Sequence, residues 1–261
     1  MFETLSVEVE GGLGRLTLSR PEKLNPLSVR TLEEIALAAR YFEEETHAKV
    51  VIVSGAGRAF SAGADLASFA VAQDRSSHEV AEIGRRMADS LEAMRAITIA
   101  RIQGWCIGGG FVLASACDLR VAGENARFSI PEVDLGIPLT WGGIPRMVRE
   151  LGPALTKELV LTCRSFEAAE AHAMGFLNRV VPTESLEEEV EELARSLVKK
   201  ASHALFSTKR HVNAITDEMV GRARSWSDAD GLVAAFADEE SAKARRDYLL
   251  SRSKTAKDTS A

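Results

Sequence analysis

Between Arg101 and Ala122 the chain reads RIQGWCIGGGFVLASACDLRVA, an apolar run interrupted by Gly108, Gly109 and Gly110. TIARIQG before the glycines and DLRVAG after them have the short apolar pattern of strands, and the residues between predict a short helix ending at Ala116. A strand that passes through a glycine loop into a helix belongs to an α/β chain, with small residues where the backbone must turn or approach something closely. The same order occurs earlier. AKVVIVSG is almost wholly apolar, the mark of a strand buried on both faces. SAGAD follows, then a polar segment around AQDRSSHE that is expected to be mobile, then a helix from about Val80 to Arg95. The expectation is a stack of strand–strand–helix units, with no repeat visible in the sequence itself.

Around this centre, LSVEVEGGLGRLTLSR reads as two alternating strands joined by a glycine turn. SVRTLEEIALAARYFEEE has helical periodicity with Ser28 as its N-cap. After FLNRVVP the character changes: Ser185-Leu-Glu-Glu188 fits a capping box for an amphipathic helix reaching about Lys200, and the remainder is helical. SKTAKDTSA at the end is expected to fray. The resulting division is a core over residues 1–197 and a helical region over 198–261.

Composition narrows the partners. With 261 residues there is room for one large α/β domain or one domain with an appendage. Net charge is −6 and no block of like charge marks a nucleic-acid arm, so DNA and RNA are not expected partners. A local basic pocket for a phosphorylated ligand remains compatible with that total. No apolar run is long enough to span a bilayer, and MFETLSVEVE lacks the basic start and apolar centre of a signal peptide. A cytoplasmic protein without membrane association is expected. Cys106, Cys117 and Cys163 form no C-x-x-C pair and read as buried free thiols. His203 and His211 stand eight apart with no carboxylate motif between them, so no metal site is expected.

The glycine loops resist two familiar motifs. VVIVSGAGRAFSAGAD starts like a dinucleotide fingerprint, but Phe60 occupies the third glycine position and no helix begins directly. AFSAG resembles a nucleophile elbow around Ser61, but Ala59 replaces the first glycine and no Asp/His pair accompanies it. Either loop alone reads as a tight connection. Together, SAGAD and CIGGGF place small residues at two strand ends, leaving backbone N–H groups bare. A helix N-terminus adds its dipole to their pull on negative charge. Two such donors facing one point make an oxyanion hole for an enolate or tetrahedral oxygen.

The ordered run RPEKLNPLS, GAGRAFSAGADL, IQGWCIGGGFVLASACDLRVAGENARFSIPEVDLGIPLTWGGIPRMVRELG and LTCRSFEAAEAHAMGFLNRVVP resembles the crotonase family, the enoyl-CoA hydratase/isomerase superfamily. The likeness extends from the first hairpin to DADGLVAAFADEE, nearly the whole chain. It implies a spiral of strand–strand–helix turns and a C-terminal helical region that assembles trimers, often paired as hexamers. It also implies an acyl-CoA substrate, with coenzyme A present only as part of that thioester and no separate cofactor. By position, the oxyanion donors would be the N–H groups of Ala64 and Gly109. Lys23, Leu24, Ala62, Asp65 and Leu66 would line the groove for adenine and pantetheine, and Lys23 or Arg58 would meet CoA phosphates or remain solvated surface charges.

The same resemblance implies two glutamates for water addition, the first two residues beyond the glycines. Here that residue is Val112, which neither ionises nor hydrogen-bonds. SIPEVDLGI supplies the second, Glu132. One carboxylate suffices to take a proton from C2 of a 3-enoyl-CoA and return it at C4 while the oxyanion hole holds the enolate. An apolar neighbour would raise the Glu132 pKa toward neutrality. The expected activity is double-bond isomerisation with Glu132 as sole acid and base. Asp134 is read as capping or packing locally. Thr140 can bond a substrate or water but is no base, Trp141 is placed as a wall of the acyl pocket, and Met147 and Val148 are read as core. Hydration, thioester hydrolysis or decarboxylation on the same scaffold, and a non-catalytic acyl-CoA binder, stand as alternatives.

Overall fold

Alternating apolar residues in LSVEVE and LGRLTL form the expected hairpin, β1 (Leu5–Glu10) and β2 (Leu13–Leu18), with Leu5 opposite Leu18. This is a computed structural model, and it describes residues 2–70, 76–221, 223 and 227–258. Helix α1 (Val29–Glu44) starts where predicted, the Ser28 hydroxyl accepting the Thr31 N–H at 3.1 Å. Strand β3 (Val50–Gly55) is buried throughout. It is followed by α2 (Leu66–Ala70), α3 (Ser77–Ala93), β4 (Ile97–Ile102), β5 (Trp105–Ile107) and α4 (Gly109–Ser115). Next come β6 (Leu119–Gly123), β7 (Arg127–Ser129), α5 (Gly143–Thr162), β8 (Phe166–Glu167), α6 (Ala168–Ala173) and β9 (Arg179–Val181). Four helices complete the chain: α7 (Leu186–Val198), α8 (Ser202–Val220), α9 (Asp228–Ala237) and α10 (Glu239–Asp258).

Two sheets explain the strand–strand–helix rhythm. The larger has the order β1-β2-β3-β4-β6-β9, parallel from β2 onward, and the smaller is β5-β7-β8. Each turn places one strand in the large sheet, one in the small sheet, then a helix: β4, β5, α4, then β6, β7, α5. In the β3 turn the second strand shrinks to a single bridge between Ser61 and Cys106. Period-2 alternation shows why β3 is apolar on both faces. Val51 and Val53 enter the main core with α1 and α3, whereas Val50 and Ile52 join Leu186, Val190 and Ala194 of α7 on the other face. Beneath α4, Phe111 stacks on Phe176 with centroids 4.1 Å apart, and Phe128 and Phe166 stack beside them at 5.4 Å.

Several boundaries differ from the sequence reading, each for a local reason. Helix α3 begins at Ser77 because Ser76 and Glu79 form a reciprocal capping box. Ser185 forms none. It ends a 3₁₀ turn with φ −94° and ψ −6°, so its hydroxyl does not cap, and Glu187, Glu188 and Glu189 meet the helix dipole instead. The segment expected to fray is helical as far as Asp258; residues 259–261, like residues 72–75 of the expected mobile segment, lie outside the described residues. Cys106 and Cys117 are buried, but Cys163, at the left-handed C-cap of α5, is partly exposed. Met147 is core, whereas Val148 is only half-buried. Among the described residues no helix is long and apolar enough to cross a membrane.

The last helices return to the centre. Leu232 and Ala229 of α9 pack with Ala81 of α3 and with Ile137. The α10 backbone at Ser241 lies so near Gly136 that a Cβ there would come within 2.5 Å of it. Both helices therefore lie over the segment between Glu132 and Trp141.

Candidate active site

The two glycine loops converge. The Ser61 N–H donates to Trp105 O (2.9 Å) and the Ile107 N–H to Ser61 O (3.0 Å), pinning the loops side by side. Gly63, at φ +90°, passes so close that a Cβ would meet Ile107 O at 2.7 Å and the Gly109 nitrogen at 3.6 Å. Gly109 is the first residue of α4, where a helix leaves its N–H groups without intrahelical acceptors. Neither the Ala64 nor the Gly109 N–H meets an acceptor among the described residues. Both residues line a cavity of about 790 Å³, together with Leu66, Val112, Glu132, Thr140 and Trp141.

Glu132 projects from a tight turn. The Leu135 N–H donates to Pro131 O at 3.1 Å and the Ile137 N–H to Glu132 O at 2.9 Å. Its carboxyl lies against Gly108, where φ is +49° and a Cβ would approach Oε1 to 2.5 Å, so only glycine fits that position. Oε2 is buried and has no hydrogen-bond partner. Burial pushes the Glu132 carboxyl from 4.5 up to about 7. Val112, 1% exposed, stands one helical turn beyond Gly109 on the same face of α4 and forms apolar wall. Asp134 is exposed and does not line the cavity.

Trp141 closes one side. Its ring lies against the bare backbones of Gly84 and Gly109 and stacks on Phe69 at 6.1 Å. Its backbone is left-handed, at φ 61°, and is held from two directions. Arg146 Nη1 donates to Gly142 O at 3.1 Å, and Asp228 of α9 accepts the Gly142 N–H at 2.8 Å. Arg146 is itself buried and ion-paired with Asp89 (2.9 Å) and Glu92 (2.5 Å) of α3.

Lys23, Leu24, Arg58, Ala62 and Asp65 do not line this cavity; they form a neighbouring rim. Leu24 O accepts the Ala62 N–H at 2.8 Å, joining the two rim segments. Asn25 fastens them, its Nδ2 donating to Ala56 O and Ala59 O at 2.9 Å each. Asp65 pairs with Arg20 at 3.3 Å, while the exposed Lys23 and Arg58 make no ion pair among the described residues. Sequence reasoning missed Asn25, Arg146 and the contribution of α9 and α10: Leu232, Phe236, Arg245 and Leu249 also line the cavity. The Asn25-Pro26 step, a turn signal, could have pointed to Asn25, but nothing local marks the other five.

With one buried carboxyl titrating near neutrality and two free N–H donors on a largely apolar cavity, the arrangement suits moving a proton beside an oxygen that becomes negative. Known proteins share the framework. Residues 8–258 match the family model described as enoyl-CoA hydratase/isomerase. The chain is 34% identical over 241 residues to the crotonyl-CoA hydratase of Syntrophomonas wolfei, covering 92% of this chain and 93% of that one. It is 31% identical over 245 residues to the short-chain-enoyl-CoA hydratase of Clostridium acetobutylicum, covering 89% and 94%. The crystal structure of an enoyl-CoA hydratase from Mycobacterium avium subsp. paratuberculosis superposes with a TM-score of 0.85 at 28% identity, over 93% of this chain and 98% of that chain.

Proposed function

Since the chain belongs to the enoyl-CoA hydratase/isomerase family, we propose that it moves a double bond within an acyl-CoA thioester, with Glu132 as the only acid–base group. One observation carries this reading: Glu132 is the only carboxylate among the described residues lining the cavity, and Val112 is apolar wall. The thioester oxygen accepts from the Ala64 and Gly109 N–H groups. Glu132 removes a proton from C2 of a 3-enoyl thioester, the C2–H electrons pass into the carbonyl, and the oxygen becomes an enolate. When the enolate collapses, C2=C3 forms, the old C3=C4 pair takes the proton from Glu132 at C4, and the carboxylate is restored. Val112 contributes by leaving no second polar group to hold a nucleophilic water opposite Glu132. Thr140 orients the acyl group, and Trp141 and Leu66 shape the cavity around it.

The rim of Lys23, Leu24, Arg58, Ala62 and Asp65 suits the coenzyme, its two unpaired cations facing phosphates. Residues 198–261 serve assembly into a trimer or a pair of trimers. The helical stripe Val212, Ile215 and Met219 on α8, each about half exposed or more, supports that role.

Hydration is the second reading, favoured by the names of the relatives. It requires Thr140 or backbone groups to hold the water that a second carboxylate would otherwise hold. The deciding experiment supplies 2-enoyl-, 3-enoyl- and 3-hydroxyacyl-CoAs of several chain lengths and identifies products by mass spectrometry. Migration of the 3-enoyl double bond is expected, and rapid hydration of a 2-enoyl-CoA would replace this reading with the second. Glu132→Gln is expected to lower kcat by roughly 10²–10⁴-fold; retention of activity within a few-fold would remove Glu132 from the chemistry.

A further inference from the structure

Arg245 of α10 reaches the same cavity as Glu132, amid Val80, Ala81, Leu232, Phe236 and Leu249. Its guanidinium carbon lies 4.7 Å from the centroid of the Phe236 ring. Nη1 is buried without a hydrogen-bond partner, and no carboxylate pairs with this residue among the described ones. A guanidinium is charged at any working pH and presents its donors as a planar fork. A buried donor left unmatched is unfavourable, and an anionic oxygen brought by a ligand would satisfy it.

Two anionic groups exist on an acyl-CoA bearing an acid: the coenzyme phosphates and a carboxylate on the acyl tail. The coenzyme rim lies outside this cavity and has its own cations, Lys23 and Arg58. Arg245 instead shares an apolar chamber with the reacting centre. A chain running from the thioester past Glu132 to Arg245 must end in a group that a guanidinium holds.

We propose that Arg245 selects acyl groups whose far end carries a carboxylate, so that the substrate class is the CoA monothioester of an unsaturated dicarboxylic acid. This rests on the acyl-CoA reading above, and the test separates the two. Saturated monothioesters from glutaryl-CoA to suberyl-CoA, matched with methyl-ended chains of equal length, are titrated calorimetrically into wild type, Arg245→Lys and Arg245→Leu. Free CoA serves as a further titrant, and 3-hexenedioyl-CoA and 3-hexenoyl-CoA are compared in turnover. The wild type is expected to bind at least one dicarboxylic member roughly tenfold or more tighter than its methyl-ended partner. Arg245→Leu is expected to bring that ratio to about one, and Arg245→Lys to keep part of it. Equal binding across the wild-type series would overturn the proposal, as would loss of free-CoA affinity in Arg245→Leu, which would assign the guanidinium to a phosphate. A retained carboxylate preference without double-bond migration would sink the isomerase reading while leaving the role of Arg245 standing.

Discussion

In the proposed reaction, Glu132 and Val112 decide the chemistry between them. Burial holds Glu132 near 7, so the folded chain keeps its proton between about pH 4.5 and 7 while the unfolded chain has released it. Stability therefore falls as pH rises through that window, by up to about 3 kcal/mol. Glu132→Gln removes this cost, so its thermal midpoint should exceed that of wild type at pH 8 and match it near pH 4.5. The activity has the opposite requirement, since a base must be ionised. With Arg245 the only other charged group lining the cavity among the described residues, kcat/KM should rise with pH and level off above about pH 7. Val112→Glu tests the neighbouring position. A second buried acid should raise 2-enoyl-CoA hydration relative to isomerisation by roughly tenfold or more, and lower the thermal midpoint because a charge replaces a wholly buried side chain. Unchanged product ratios in that variant would remove Val112 from any role in reaction choice.

The elements that present these residues are short and held from outside. Helix α4 has seven residues, too few to stand alone, and owes its place to the Phe111–Phe176 stack and the small sheet. The turn carrying Trp141 is strained and depends on Arg146, whose side chain links it to Asp89 and Glu92. Arg146→Met should cost about 3 kcal/mol in denaturant unfolding, the low end for a broken buried ion pair, because Arg85 and Arg149 still reach the same carboxylates. It should also lower kcat, as the Trp141 wall loosens. Elements with a local signature were legible: the hairpin, the Ser28-capped helix and the buried β3. The Ser185 box was not, because a motif of residue types does not reveal whether the backbone at the cap is extended or already helical.

For the whole molecule, the apolar stripe on α8 is the surface that an assembly of subunits would cover. Its other face is committed, Lys209 reaching Ala96 O and Asp118 at 2.9 and 2.8 Å. Val212, Ile215 and Met219 remain outward, Met219 being 73% exposed. If the stripe joins subunits, light scattering after size exclusion should give wild type several times the chain mass, and Ile215→Asp with Met219→Lys should give the single-chain mass. A wild type running as a monomer would remove assembly from residues 198–261.

Local chemistry determined much of this protein by itself. Period-2 apolar runs, glycine at strand ends and capping hydroxyls depend on neighbours a few residues away, so the strand–strand–helix order and the two bare loops could be read directly, whereas Glu132 was singled out only through the family resemblance. Only the tertiary structure brought Ala64 beside Gly109, laid Trp141 across both Gly84 and Gly109, and carried Arg245 more than a hundred residues along the chain to the chamber of Glu132. Those meetings follow from how helices pack over sheets, a property of summed buried surface that leaves no mark at any one position.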